Sequence, residues 1–169
     1  CKSNHMSKHS LVNSSTSKKN PYNVLIYGDS LITDLKVPEA WTNKIKFHVE
    51  CRPGFTTMDL LREEENEIGL SMMVREDEYD AIVLMGGTND DLYSAYQVKE
   101  SVDNLLRLKN IAKQVSSNIR VITMTINHEK FNQIYKDHVH APNHCYFFSA
   151  LMNPAFLDED YLHLNHIGK

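Results

Sequence analysis

The chain has 169 residues, 41% hydrophobic and 24% charged, a balance that fits one globular domain with one sizeable core. Eighteen Lys and Arg against 22 Asp and Glu leave a formal net charge of -4, which argues against a nucleic acid or an anionic membrane surface as partner. No apolar run approaches the roughly 20 residues that a membrane span needs.

Residues 1–20 are polar, rich in Ser, Asn and Lys, and without hydrophobic period. They read as a disordered lead-in or a tag and linker, with the folded domain over residues 21–169. No signal peptide is visible to decide the location; the cytoplasm is slightly favoured, while Cys1 followed by a polar linker also fits an exported or lipid-anchored form. Three cysteines (Cys1, Cys51, Cys145) are too sparse for a disulfide framework, and none forms a C-x-x-C pair. Cys51 and Cys145 flank apolar runs and are expected to be small buried hydrophobes.

From Pro21 onward, strands and helices alternate. Val24–Tyr27 is a short apolar run of parallel-strand type. Ile45, Phe47 and Val49 alternate with Lys46, His48 and Glu50, which predicts a half-exposed edge strand. Residues 57–74 carry a helical pattern that Gly69 is placed to interrupt, with the Glu63–Glu67 run as its solvated face. Residues 79–85 form a third strand. A long helix follows, on the stripe Val98, Val102, Leu105, Leu106, Lys109, Ala112 and Val115. Residues 120–126 and 145–148 are the fourth and fifth strands, with a short helix over 129–136. This alternation implies a parallel sheet with helices on both faces.

In such sheets the reactive groups gather beyond the carboxyl ends of the strands. After strand one stand Gly28, Asp29 and Ser30. After strand two comes Arg52-Pro53-Gly54-Phe55-Thr56-Thr57, after strand three Gly86-Gly87-Thr88-Asn89-Asp90, and after strand five the segment 158–165. A serine hydroxyl needs a base to take its proton, and His163 is a candidate because imidazole titrates near working pH. Asp160 lies three residues before His163, so one tight turn can set both side chains together; Asp158 is the reserve. The Ser30 N–H, the Gly54 N–H and the Asn89 amide can supply the donors that a developing oxyanion requires. Read singly, each has a plainer role. Asn89-Asp90 would cap the long helix, and Pro53-Gly54 would be an ordinary turn.

Taken together, Gly28-Asp29-Ser30-Leu31, the segment 52–57, Gly87-Thr88-Asn89-Asp90 and the segment 160–165 resemble the SGNH hydrolase family, the GDSL esterases and lipases, over about residues 22–168. The resemblance implies a flavodoxin-like three-layer α/β/α sandwich whose five-stranded parallel sheet runs in the order 2-1-3-4-5. It implies Ser30 as nucleophile, Asp160 and His163 completing the triad, and Gly54 and Asn89 joining the Ser30 N–H in the oxyanion hole. The second block lacks the family's usual small polar lead-in. The family usually continues into a last helix beyond the position of Lys169, so the sequence is expected to be truncated or the helix lost.

The expected activity is hydrolysis of short-chain acyl, acetyl or aryl esters through an acyl-enzyme, with no cofactor and no metal. An O-deacetylase of acylated glycans, or a non-catalytic ester- or glycan-binding module on the same fold, are the alternatives. Either enzyme takes a small-molecule or acylated-glycan ester, and the short chain leaves no evident insertion for a lid. Oligomeric state is not legible. His138, His140 and His144 lack a recognised ligand spacing. Trp41 and the tyrosines are candidates for an acyl pocket, but no spacing selects one of them.

Overall fold

The computed structural model describes residues 20–33, 39–124, 126 and 128–138, together with the backbone of 145–148. The lead-in 1–19, Asp158, Asp160 and His163 lie outside the described residues, as do His140 and His144. The elements run β1 (Tyr22–Gly28), β2 (Ile45–Cys51), α1 (Thr57–Glu65), α2 (Leu70–Glu76), β3 (Ala81–Met85), α3 (Ala95–Val115), β4 (Arg120–Met124), α4 (Glu129–His138) and β5 (Cys145–Phe148). Short 3-10 turns cover Ser30–Ile32 and Glu39–Trp41.

The sheet is parallel, with β1 to β4 in the order β2-β1-β3-β4 and the backbone of Cys145–Phe148 paired alongside β4. Gly28 is in register with Cys51 on one side and Met85 on the other, so β1, β2 and β3 end level. This register sets three loops side by side at the carboxyl rim. Among the described residues β2 pairs only with β1, which makes it the edge strand its alternating sequence predicts.

Helix α3 packs on α1, α2 and α4, so the four helices lie on one face of the sheet. Strand residues pointing to that face are fully shielded: Leu25, Tyr27, Ile82 and Leu84 have no exposed surface. From the helices, Leu60, Leu70, Leu105 and Leu108 complete this core, each fully buried. Truncating one such leucine to alanine costs about 2–5 kcal/mol. On α3, Leu108 takes the buried place that the sequence pattern gave to its neighbour Lys109, which is half-buried. The helical face behind the other face of the sheet, which the strand-helix alternation predicts, is not among the described residues.

The break between α1 and α2 is built differently from the expectation that Gly69 interrupts one helix. The chain leaves α1 through Glu67, whose φ of 58° is left-handed. The Ile68 N–H donates to the Glu63 carbonyl (3.1 Å) and the Glu67 N–H to the Glu64 carbonyl (3.2 Å), a Schellman closure. Gly69 is the N-cap of α2 and offers no side chain; the Glu64 carboxylate accepts from the Ser71 N–H instead. Glu63 is also buried. The run Glu63–Glu67 is therefore not a solvated face at its first two positions: Glu63 faces β1 and Glu64 caps the next helix.

Candidate active site

β1 must end on glycine because its last residue passes hard against β3. A Cβ at Gly28 would stand 2.0 Å from the Met85 carbonyl oxygen, which is backbone and cannot yield. Asp29 follows and is fully buried. One carboxylate oxygen accepts from the Leu31 N–H (3.1 Å), capping the 3-10 turn that carries Ser30. The other accepts from the Thr88 N–H and hydroxyl (3.2 and 2.6 Å), across to the loop after β3. The acid therefore joins the first and third blocks, and Ser30 is half-buried at the start of that turn.

The second block is a tight turn. Phe55 N–H donates to the Arg52 carbonyl (3.2 Å), Pro53 occupies the second position and Gly54 the third, with φ 79°. Proline then a left-handed glycine is the signature of a type II turn, and only glycine adopts that φ without strain. No atom lies within 4 Å of where a Gly54 Cβ would stand, so conformation and not space selects glycine here. The Arg52 N–H donates to the Gly28 carbonyl (2.7 Å), the last bond tying this loop to the sheet.

In the third block, Asn89 Nδ2 donates to the Phe55 carbonyl (3.0 Å), joining the loops that carry Asn89 and Gly54. An amide nitrogen has two hydrogens, so this bond leaves one for a ligand. Asp90 is not a cap of α3. Its carboxylate accepts from the Thr57 N–H (2.8 Å), the Thr57 hydroxyl and the Ser101 hydroxyl, at the N-terminus of α1, where negative charge is favoured. Ser94 caps α3 in a reciprocal box with Gln97.

Behind the Gly54 turn lies a partly buried ionic cluster. Arg52 Nε donates to Glu63 (2.7 Å) and its Nη1 to Glu50. The second Glu63 oxygen accepts from the Tyr27 hydroxyl (2.8 Å). Burial, and then the hydrogen bond to the Glu63 carboxylate, push the Tyr27 hydroxyl far above its ordinary range, so it stays a donor. Burial works against the charge on Arg52, but the bonds to Glu50 and Glu63 more than offset it and its pKa is raised.

Three of the five sequence-selected residues, Ser30, Gly54 and Asn89, thus lie on adjoining loops bound to one another, while Asp160 and His163 fall outside the described residues. Cys51 is half-buried and polar in use: its thiol donates to the Asp29 carbonyl (3.3 Å) and touches the Thr33 hydroxyl (3.1 Å). Trp41 is 53% exposed, and its carbonyl accepts from Lys44 N–H just before β2, at the opposite end of the sheet from this rim. It is no part of the site. The sequence reading missed the roles of Thr88, Asp90 and Glu63. Asp90 and Thr88 carry a signal, being polar residues beyond a buried strand; Glu63 carries none, standing in a run of glutamates.

A cleft of about 560 Å³ opens beside the turn, lined by Pro53, Gly54, Phe55, Arg62, Asn66 and Ile68 among others. Tyr93 and Tyr96, which follow Asn89 in the chain at the entry to α3, are 93% and 75% exposed. Among the described residues no three His, Cys, Asp or Glu side chains are placed to hold a metal ion, and no helix is long and apolar enough to cross a membrane.

No family model matches the sequence, and no curated protein matches it. Solved structures do. A candidate platelet activating factor from Streptococcus pneumonia superposes with a TM-score of 0.66 at 20% identity, over 91% of this chain and 81% of that one. A carbohydrate esterase family 3 protein from Talaromyces cellulolyticus superposes with a TM-score of 0.60 at 15% identity, over 87% of this chain and 90% of that one. The chain has the α/β fold of these proteins, built on a parallel sheet.

Proposed function

We propose that the chain is a serine hydrolase of carboxylic esters, on a flavodoxin-like sandwich of the SGNH type. The observation that carries the reading is the mutual pinning of three loops at one rim: Asp29 to Thr88, Asn89 to Phe55, and Arg52 to Gly28. Preorganised donors around one hydroxyl are what acyl transfer requires. The Ser30 hydroxyl attacks the ester carbonyl and passes its proton to His163, whose ring Asp160 orients. The Ser30 N–H, the Gly54 N–H and the second Asn89 amide hydrogen receive the oxyanion. Collapse expels the alcohol, which takes the proton from His163. Water, activated by the same imidazole, then releases the carboxylic acid and restores the serine. No cofactor enters this cycle.

A fluorophosphonate probe tests the assignment. It should label Ser30, and labelling at another serine would remove the foundation of the reading.

An acylated glycan is the substrate class that the surroundings favour. The cleft beside Gly54 combines apolar Phe55 and Ile68 with polar Arg62 and Asn66, and the tyrosines Tyr93 and Tyr96 offer open ring faces on which a sugar can lie. The Talaromyces protein of the same fold is a carbohydrate esterase. Acetylated oligosaccharides compared with p-nitrophenyl esters of increasing acyl length separate this class from simple esters. A kcat/KM that rises with acyl length and ignores the sugar would overturn it.

A further inference from the structure

Gly54 occupies the tip of an exposed turn on the edge strand, yet it is asked to hold an N–H in a fixed direction. The turn has one backbone bond to the sheet, Arg52 N–H to the Gly28 carbonyl, and one side-chain bond at its exit, from Asn89 to Phe55. Beyond Phe55 the chain runs into the capping box of α1, Thr56 with Asp59, and on the entry side the Arg52 side chain ties the turn inward. That side chain is 21% exposed and its guanidinium reaches under the turn to Glu63, whose side chain is 10% exposed, and sideways to Glu50. Tyr27, fully buried on β1, fills the remaining Glu63 oxygen. The cluster therefore joins the edge strand, the central region of the sheet and α1 through one residue, immediately before Pro53.

A partly buried ion pair is a weak source of stability, since apolar residues of the same volume often serve as well or better. What it supplies is direction. A planar guanidinium with donors in a fixed fork is oriented by donating to two carboxylates at once, and Pro53 then passes that orientation to Gly54 through a stiff φ.

We propose that Arg52 is a positioning residue for the Gly54 donor, with Glu63 and Tyr27 as its buried clamp. The proposal rests on the reading of Gly54 as an oxyanion donor. Lysine keeps the charge and loses the fork, so Arg52→Lys separates direction from electrostatics.

The experiment uses the full chain with p-nitrophenyl acetate and, alongside it, a boronic acid that forms a tetrahedral adduct with the serine. Arg52→Lys should lower kcat about tenfold with KM within a factor of two, and weaken the boronic acid by the same factor, because misdirection of the donor is felt only when the oxyanion forms. Tyr27→Phe, which removes one hydroxyl and leaves the pair intact, should do the same by about threefold, and it decides the matter if Arg52→Lys does not fold. An unchanged kcat in the folded variants overturns the positioning role while the unmodified protein still turns over ester and labels at Ser30. If the unmodified protein does neither, the oxyanion reading fails, and the proposal with it.

Discussion

Asn89 and Gly54 sit on neighbouring loops, one leaving the interior strand β3 and the other the edge strand β2. The Asn89 loop is held by two carboxylates, Asp29 and Asp90, that take hydroxyls and backbone N–H groups as partners and, among the described residues, no cation. The Gly54 loop is held by an arginine between two glutamates. The position in the sheet explains the contrast. An interior loop has donors on both sides and can satisfy an acid with neutral groups. An edge loop has a neighbour on one side only, and its anchor has to reach inward over a longer distance, which a guanidinium can do. Hydroxyl-bonded carboxylates are indifferent to salt, whereas a partly exposed ion pair is weakened by it. The two donors of one oxyanion hole are therefore expected to differ in robustness.

The largest effect bears on what the two loops serve. Ser30→Ala should reduce ester hydrolysis by more than roughly 10⁴-fold while leaving the fold intact, as judged by circular dichroism. Unimpaired turnover would mean that both loops surround some other chemistry. Next comes the acid. Asp160→Asn should cost about 10⁴-fold in kcat and Asp158→Asn far less, by analogy with replacing a triad aspartate by its amide. The reverse result would shift the last block by two residues.

Asn89→Ala should lower kcat about 100- to 1,000-fold with little change in KM, because its free amide hydrogen acts in the transition state. A rise in KM with kcat preserved would reduce Asn89 to its bond with Phe55. Activity should also fall on acidification through one ionisation at about pH 6–7, the range of histidine, since the base has to be neutral to accept the Ser30 proton. A profile flat down to pH 5 would exclude His163 as that base.

Much of this arrangement was legible in the sequence. The strands were readable because burial on both faces leaves uninterrupted apolar runs, as in Val24–Tyr27, and the edge strand because exposure on one face imposes alternation. The rim residues followed from strand ends alone. What the sequence could not display was partnership at a distance. Asp90 looks like the cap of the helix that follows it, and only the packing of α3 against α1 turns it towards Thr57 and Ser101. Glu63 is indistinguishable from Glu65 by composition; it is the helix's rotation, fixed by Leu60 and Leu61 against the sheet, that sends one glutamate inward to Arg52 and leaves the other in water.

The smallest predicted effect separates the two loops most sharply. Helices α1 and α3 begin with the same device, a reciprocal capping box: Thr56 with Asp59, and Ser94 with Gln97. Losing either cap hydroxyl should cost about 1 kcal/mol, measured by urea unfolding. The Thr56 hydroxyl and N–H hold the Asp59 carboxyl below the usual carboxylate range. A carboxyl whose folded pKa is depressed contributes stability that is present above its unfolded value, near pH 4, and lost as the pH falls through the folded one. Thr56→Ala should therefore destabilise the protein at pH 7 and do so less at pH 3, whereas Ser94→Ala, with a neutral partner, should cost the same at both. The activities should diverge as well. Thr56 is two residues from Gly54 and its backbone continues the turn, while Ser94 is separated from Asn89 by a loop already fixed by Asp90. At equal loss of stability, Thr56→Ala is expected to lower kcat a few-fold and Ser94→Ala to leave it unchanged. Equal kcat in the two variants would show that the Gly54 turn is held as firmly as the Asn89 loop, and the distinction between edge and interior anchoring would fall.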